Sequence, residues 1–265
     1  MIDFLSFNLY EHFNNTRNFF SVLRYPLIED HVARYNWVAK KAKGKTLDVA
    51  CGSGWGTLHI LKNSTPKIKK CVGIDINPNA FKYAKSLNTS GVKFAEFNLL
   101  KSKNTLGKFD TVIAFEILEH FSAKDVEIFL NNLKRFCTKS TKIYISTPNS
   151  TAFSPLGYKW LPYHPVEYAQ KQMLILLKNQ GFIVHEVYGQ RFLYKPLHKV
   201  LSYIILFPVF VIKNKTIESK LVKLLYAVVT RLELFIGKDY RSNITLNKAN
   251  KFFYPKYFIV EASVS

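Results

Sequence analysis

Along most of its length the chain alternates short apolar runs with stripes of helical period, the pattern of strands and helices taken in turn. The stripe Ile28, Val32, Tyr35, Val38 and Ala39 predicts a helix over 28–42, with His31, Arg34 and Tyr35 on one face. An apolar run then enters three glycines spaced two apart, Gly52, Gly54 and Gly56, so 46–57 reads as a buried strand, a glycine turn and a helix start. Residues 71–75 repeat the short apolar pattern. Asn77-Pro78-Asn79 opens the next helix, Asn77 as N-cap and Pro78 at the first helical position. Strands follow over 92–98, 111–115 and 142–147, with a helix beginning at Ser122-Ala123. Met173, Leu174, Leu176 and Leu177 mark a helix that stops at Gly181, and strands over 182–188 and 257–264 complete the series.

Two stretches break the rhythm. Residues 1–26 are aromatic-rich without a clear period and are read as a loosely helical segment, making 1–42 an N-terminal helical cap. Residues 191–254 form a helical insertion ahead of the last strand, which divides the core into 43–190 and 255–265. Within the insertion, 200–212 is apolar but interrupted by Pro208, and falls short of the ~20 residues that span a bilayer. Over 217–236, Leu221, Leu224, Leu225, Val228, Leu232 and Phe235 recur at helical spacing among basic residues. The pair of helices is expected to pack on the core or in a homodimer. The alternative for 200–236 is a peripheral membrane contact.

With 265 residues, 48% of them hydrophobic, the chain can bury the core of a single domain with one elaboration. No basic segment leading into an apolar core follows Met1, and three cysteines without metal-ligand spacing suit a reducing compartment, so a cytoplasmic location is expected. A net charge of +20 invites a nucleic-acid reading, but only seven of the 38 basic residues are arginine, and the lysine clusters fall in predicted loops and helix ends. A solvated basic face is the preferred reading.

Chemistry concentrates at the glycine turn, where backbone can approach a ligand more closely than any Cβ allows. No Lys-Ser/Thr follows the last glycine, and Gly52-x-Gly54-x-Gly56 lacks the spacing of a dinucleotide fingerprint. Asp48, four residues ahead of Gly52, is poorly placed for a pyrophosphate and well placed for a cation. Asp75, 21 residues after Gly54, ends the second strand, where an acid accepts ribose hydroxyls in nucleotide-binding βαβ units. A nucleoside with a cationic, phosphate-free tail describes S-adenosylmethionine.

Here the chain resembles the class I S-adenosylmethionine-dependent methyltransferases. Asp48-Val49-Ala50-Cys51-Gly52-Ser53-Gly54-Trp55-Gly56 is similar to their first motif, Gly73-Ile74-Asp75 to their second, and 109–120 to their fourth strand and the turn behind it. The resemblance implies an α/β, Rossmann-like, mostly parallel sheet of seven strands, the last antiparallel. It further implies that Asp48, Ala50, Cys51, Gly52, Ser53 and Gly54, then Asp75, Ile76, Asn98, Leu99 and Phe115, bind the cofactor. Asn98 stands where the family usually has Asp, and its amide oxygen can accept the same hydrogen bond. Three segments, 31–35, 147–149 and 189–190, are similar to methyltransferases associated with bacterial surface polysaccharides, and Tyr163-His164-Pro165-Val166-Glu167-Tyr168 to a family segment before a helix.

That resemblance implies O-methylation of a sugar hydroxyl on a glycan or glycolipid precursor, with His120 as the first candidate base and His164 as the second. No metal is assigned. Glu116, Glu119, His120 and His164 could nonetheless hold a divalent ion, an arrangement similar to the metal site of small-RNA 2′-O-methyltransferases. RNA 2′-O-methylation is therefore the competing activity. A protein that binds the cofactor and serves assembly without catalysis is the third reading.

Overall fold

The computed structural model describes residues 19–65, 68, 70–86, 90–102, 105–154, 157, 163–211, 225, 228, 232, 243–247 and 252–265. Helix α1 (Phe19–Ala39) leads into strand β1 (Lys45–Val49), helix α2 (Trp55–Asn63), strand β2 (Lys70–Asp75), helix α3 (Pro78–Ser86) and strand β3 (Val92–Glu96). Strand β4 (Phe109–Phe115) passes through a single 3₁₀ turn, Leu118–His120, to helix α4 (Ala123–Leu133). Strand β5 (Cys137–Pro148), the short helix α5 (Ser150–Phe153), helix α6 (Gln170–Asn179) and strand β6 (Phe182–Tyr194) follow. Helix α7 (Lys195–Val211) and strands β7 (Ile244–Leu246) and β8 (Phe253–Val264) complete the described chain.

The strands form one sheet in the order β3-β2-β1-β4-β5-β8-β6-β7. The first five in this order run parallel, and β8 lies antiparallel between β5 and β6. This is the expected α/β Rossmann-like sheet with one strand more than predicted. The addition is β7, which pairs with Tyr188, Gly189 and Gln190 at the open edge of β6. Strands β5, β6 and β8 are also longer than the apolar runs suggested, because β6 and β8 continue as a paired ribbon out to Tyr194 and Phe253.

Strand alternation assigns the two faces. Leu47, Val49, Val112 and Ala114 pack against Val126, Phe129, Leu130 and Leu133 of α4 and Met173 and Leu177 of α6. Ile113, Phe115 and Tyr144 point the other way, toward Tyr35 and Val38 of α1 and Ile60 of α2. Thus β1, β2 and β4 are covered on both faces, which is why they read as near-continuous apolar runs. The local signals hold as well: Asn77 accepts from the Asn79 N–H, Ser122 accepts from the Asp125 N–H, and Gly181 follows α6 with φ +76°.

Helix α1 begins at Phe19, within the stretch 1–26 read as a loosely helical cap, while residues 1–18 lie outside the described residues. Polar bolts hold it to the sheet. Arg191 donates through Nε to both oxygens of Asp30 at 2.7 and 2.6 Å, with both side chains buried. Gln190 donates to the Asp30 carbonyl and accepts from Arg34. Arg191 holds φ +52°, a backbone position that disfavours a side chain, and the ion pair with Asp30 offsets that cost. The second predicted helix of the insertion, 217–236, lies outside the described residues apart from 225, 228 and 232.

Removing one partner of a buried pair leaves the other charge uncompensated. Asp30→Asn is therefore expected to lower the unfolding free energy by about 3 kcal/mol or more, read as an earlier urea midpoint with unchanged slope.

Candidate functional site

The carboxyl ends of β1, β2 and β4 meet where the strand order reverses between β1 and β4, the position at which open α/β sheets bind ligands. Strand β1 hands over to α2 through a turn of unusual backbone: Ala50, Gly52 and Gly54 have φ of 57°, 53° and 80°. Gly54 caps α2 in a left-handed conformation, and a Cβ there would strike the Phe94 ring. At Gly56 a Cβ would lie 2.2 Å from Cζ of Tyr35, so that glycine lets α1 press against the start of α2.

Asp75 ties the turn to β2. One carboxylate oxygen accepts from the Gly52 N–H and the other from the Asn77 N–H, both at 2.8 Å. Asp48 does something other than expected. Alternation along β1 sends its side chain to the α1/α2 face, where it is fully buried and accepts from Thr57 Oγ1 at 2.7 Å and Tyr35 Oη at 3.2 Å. It therefore has no surface with which to touch a ligand. Burial, partly opposed by the two hydroxyls, pushes its carboxyl up to about 7.

The other predicted cofactor residues divide between turn and core. Ala50 and Cys51 are half-buried in the turn, and Ser53 is buried beside them. Burial and the nearby Asp48 and Asp75 raise the Cys51 thiol well above its ordinary value, consistent with a packing role. Ile76 is 60% exposed directly after Asp75, an apolar surface beside the turn. Asn98 spends its amide oxygen on the Leu100 N–H, Leu99 is buried, and Phe115 meets the Tyr35 ring edge-on at 5.5 Å. Tyr35 and Thr57, which clamp Asp48, are not among the expected site residues; Thr57 directly follows Gly56 in the first turn of α2, a position that could have found it.

At the exit of β4 a second group gathers. Glu116 has φ 51°; its N–H donates to the Ser146 carbonyl and its Oε1 accepts from Ser146 Oγ at 2.7 Å. Arg34 reaches it from α1 at 3.7 Å while donating to Gln190 and lying over the Tyr257 ring. Two of the segments singled out in the sequence, 31–35 and 189–190, thus meet through Arg34 and Gln190. The third joins them, since Thr147 Oγ1 donates to Glu119 at 3.0 Å. Burial first, and then the neighbouring Glu116, hold the Glu119 carboxyl well above its ordinary range. Glu119 is thereby held toward its neutral form, and Glu116 is the carboxylate that pairs with the Arg34 guanidinium.

His120 and His164 stand edge-to-face at 5.0 Å beside Glu119, and one donor atom from each of the three lies within 4.8 Å of the others. The His164 Nδ1 is 2.8 Å from Glu167 Oε1, and the His120 Nδ1 is 3.3 Å from the Tyr163 carbonyl. Both acceptors require a proton on Nδ1, so the Nε2 lone pairs are the basic positions. Partial desolvation and the adjacent His164 lower the His120 pKa, which keeps its ring neutral at pH 7. Glu116, grouped with these residues in the sequence, is turned instead toward Arg34 and Ser146. Glu119, His120 and His164 fit a divalent cation: a buried carboxylate that favours a cation, and two rings whose Nδ1 atoms meet acceptors. Glu167, which also accepts from Ser154, opens onto a groove of about 700 Å³ lined by Ser150, Ser202, Tyr203, Lys199 and Tyr254.

Residues 40–193, more than half of the chain, match the family model described as a methyltransferase domain. A comparison with curated proteins gives no match. Among solved structures, the fold is similar to a putative methyltransferase from Bacillus halodurans, with TM-score 0.55 and 15% identity over 88% of this chain and 97% of that one. It is also similar to magnesium protoporphyrin IX methyltransferase from Synechocystis with bound SAH, with TM-score 0.53 and 14% identity over 94% and 89%. A 4+2 cyclase gives TM-score 0.53 and 13% identity over 89% and 81%, so the fold by itself does not fix the reaction.

Asp48 also makes stability depend on pH. Its folded value of about 7 lies above the ordinary carboxyl value of 3.8, so the folded state binds more protons between them and loses stability as pH rises through that window. Urea unfolding of the wild type, measured relative to Asp48→Asn, should weaken from pH 4 to 7 and then level off.

Proposed function

The chain belongs to the methyltransferase-domain family, and on that footing we propose that it methylates a hydroxyl of a sugar on a glycan or glycolipid precursor, using S-adenosylmethionine. The observation that carries the hydroxyl assignment is a neutral His120 whose Nδ1 faces the Tyr163 carbonyl, which makes Nε2 its basic position; it stands beside His164, whose partner Glu167 also lines the tyrosine-edged groove.

Bound at the glycine turn, S-adenosylmethionine supplies an electrophilic methyl group. The protein's task is then alignment and removal of one proton from the acceptor. Gly52, held by Asp75, leaves room for close approach, and Ile76 offers an apolar surface next to it. Glu116 is paired with Arg34, and Glu119, held toward its neutral form by burial, lies beside His120 and His164. Glu167 fixes the His164 ring, and the Tyr163 carbonyl fixes His120. Serine hydroxyls, Lys199 and the rings of Tyr203 and Tyr254 give the groove the mixed polar and aromatic lining that suits a sugar.

A second reading draws on the same three donors. A divalent ion held by Glu119, His120 and His164 would supply a Lewis acid at the acceptor hydroxyl, and with the basic surface that arrangement supports the 2′-hydroxyl of RNA as acceptor.

Transfer of label from S-adenosylmethionine to polysaccharide, lipid and RNA fractions separates the readings. Label is expected in the glycan or lipid fraction, insensitive to chelator, whereas label confined to RNA and lost on chelation would select the second. His120→Ala should lower turnover by about 10²–10⁴ while leaving cofactor affinity unchanged.

A further inference from the structure

Helix α7 is amphipathic in the wrong sense for a helix packed on its own core. Its buried face carries His198, Ser202 and Leu206: the His198 Nδ1 meets Tyr254 Oη at 2.6 Å, and Ser202 donates to the His198 carbonyl. The opposite face presents Leu197, Val200, Tyr203, Ile204, Phe207 and Val211, each between 41% and 69% exposed. Their spacing of three and four residues makes one continuous stripe along the helix. The sequence leaves this apolar segment to pack on the core, on a second copy or on a membrane. Among the described side chains of the helix, Leu206 is the one large apolar group buried to completion.

Charge around the stripe indicates what it meets. Between Glu186 and Glu218 the chain has no acidic residue, while Lys195, Lys199, Lys213 and Lys215 bracket the apolar segment, in a protein of net charge +20. An apolar face flanked along the chain by lysines and by no acid suits an anionic lipid surface, which accepts side chains below its headgroups and neutralises lysines at that level. A second copy of the chain would bring the same positive charge and repel. No described helix is long and apolar enough to cross a membrane, so a helix lying in the interface is the geometry left to this stripe.

We propose that α7 docks the protein on anionic membrane through Leu197, Val200, Ile204, Phe207 and Val211, with its lysines at the phosphate level. Tyr203, Lys199 and Ser202 of the same helix line the groove, so docking sets that groove beside the headgroups, where a lipid-linked acceptor would be presented. The docking itself does not rest on the acceptor assignment.

Vesicle flotation with full-length protein tests it without reading methyl transfer. Binding to vesicles of one-third phosphatidylglycerol should exceed that to pure phosphatidylcholine at least about tenfold, and should fall sharply at high salt. The double variant Ile204→Glu, Phe207→Glu changes exposed positions alone and should keep its circular dichroism and thermal midpoint while losing flotation. The proposal is overturned if wild type does not float with anionic vesicles, or if the double variant floats as well as wild type. Loss of a sedimenting dimer in that variant, with no flotation by wild type, would assign the stripe to a second copy instead.

Discussion

A carboxylate with nowhere to go organises the centre of this molecule. Alternation along β1 obliges Asp48 to face α1 and α2, and full burial there makes its charge costly. The hydroxyls of Tyr35 and Thr57 relieve that cost, and in doing so fix one residue from each helix against the end of the strand. The neighbouring glycines then follow from space. Gly56 must lack a side chain because Tyr35 fills its place, and Gly54 because Phe94 does. The open turn that a ligand would cross is thus the outer surface of a packed arrangement beneath it.

Around this centre, burial holds two acids, Asp48 and Glu119, toward their neutral forms, while Asp75 ties the turn to β2 and Glu116 pairs with Arg34 at the exit of β4. Arg34 in turn depends on α1 being held by Gln190 and by the ion pair of Asp30 with Arg191. The N-terminal helix is therefore part of the site and not a cover laid over it. The same sheet in the cyclase shows that such a frame hosts other chemistry, so the reaction is carried by the family match and the groups at the exit of β4.

Much of the fold was legible because strands and helices are bounded by recognisable signals: glycines after 49, Asp75-Ile76-Asn77-Pro78, the N-cap Ser122 and Gly181 at the end of α6. What escaped reading depends on distant pairing. Strand β7 has only three residues and exists through its partner β6, and the outer parts of β6 and β8 are strands because they pair with each other. At the site, the glycine turn and Asp75 were visible as local motifs. The inward turn of Asp48 follows from alternation and could have been foreseen, and the grouping of Glu119, His120 and His164 was expected from the resemblance, whereas the meeting of Arg34 with Gln190 joins segments whose separation no periodicity encodes. The apolar segment 200–212 stayed open for a related reason: hydrophobicity marks a helix that needs a partner without saying on which side the partner lies.

The account stands on the glycine turn being shaped for a sulfonium nucleoside without phosphates. Isothermal titration of purified protein with S-adenosylmethionine, and separately with NAD, addresses this most directly. Saturable binding of S-adenosylmethionine at one site per chain and no heat with NAD is the predicted result. Tight binding of NAD with none of S-adenosylmethionine would contradict the account at its base.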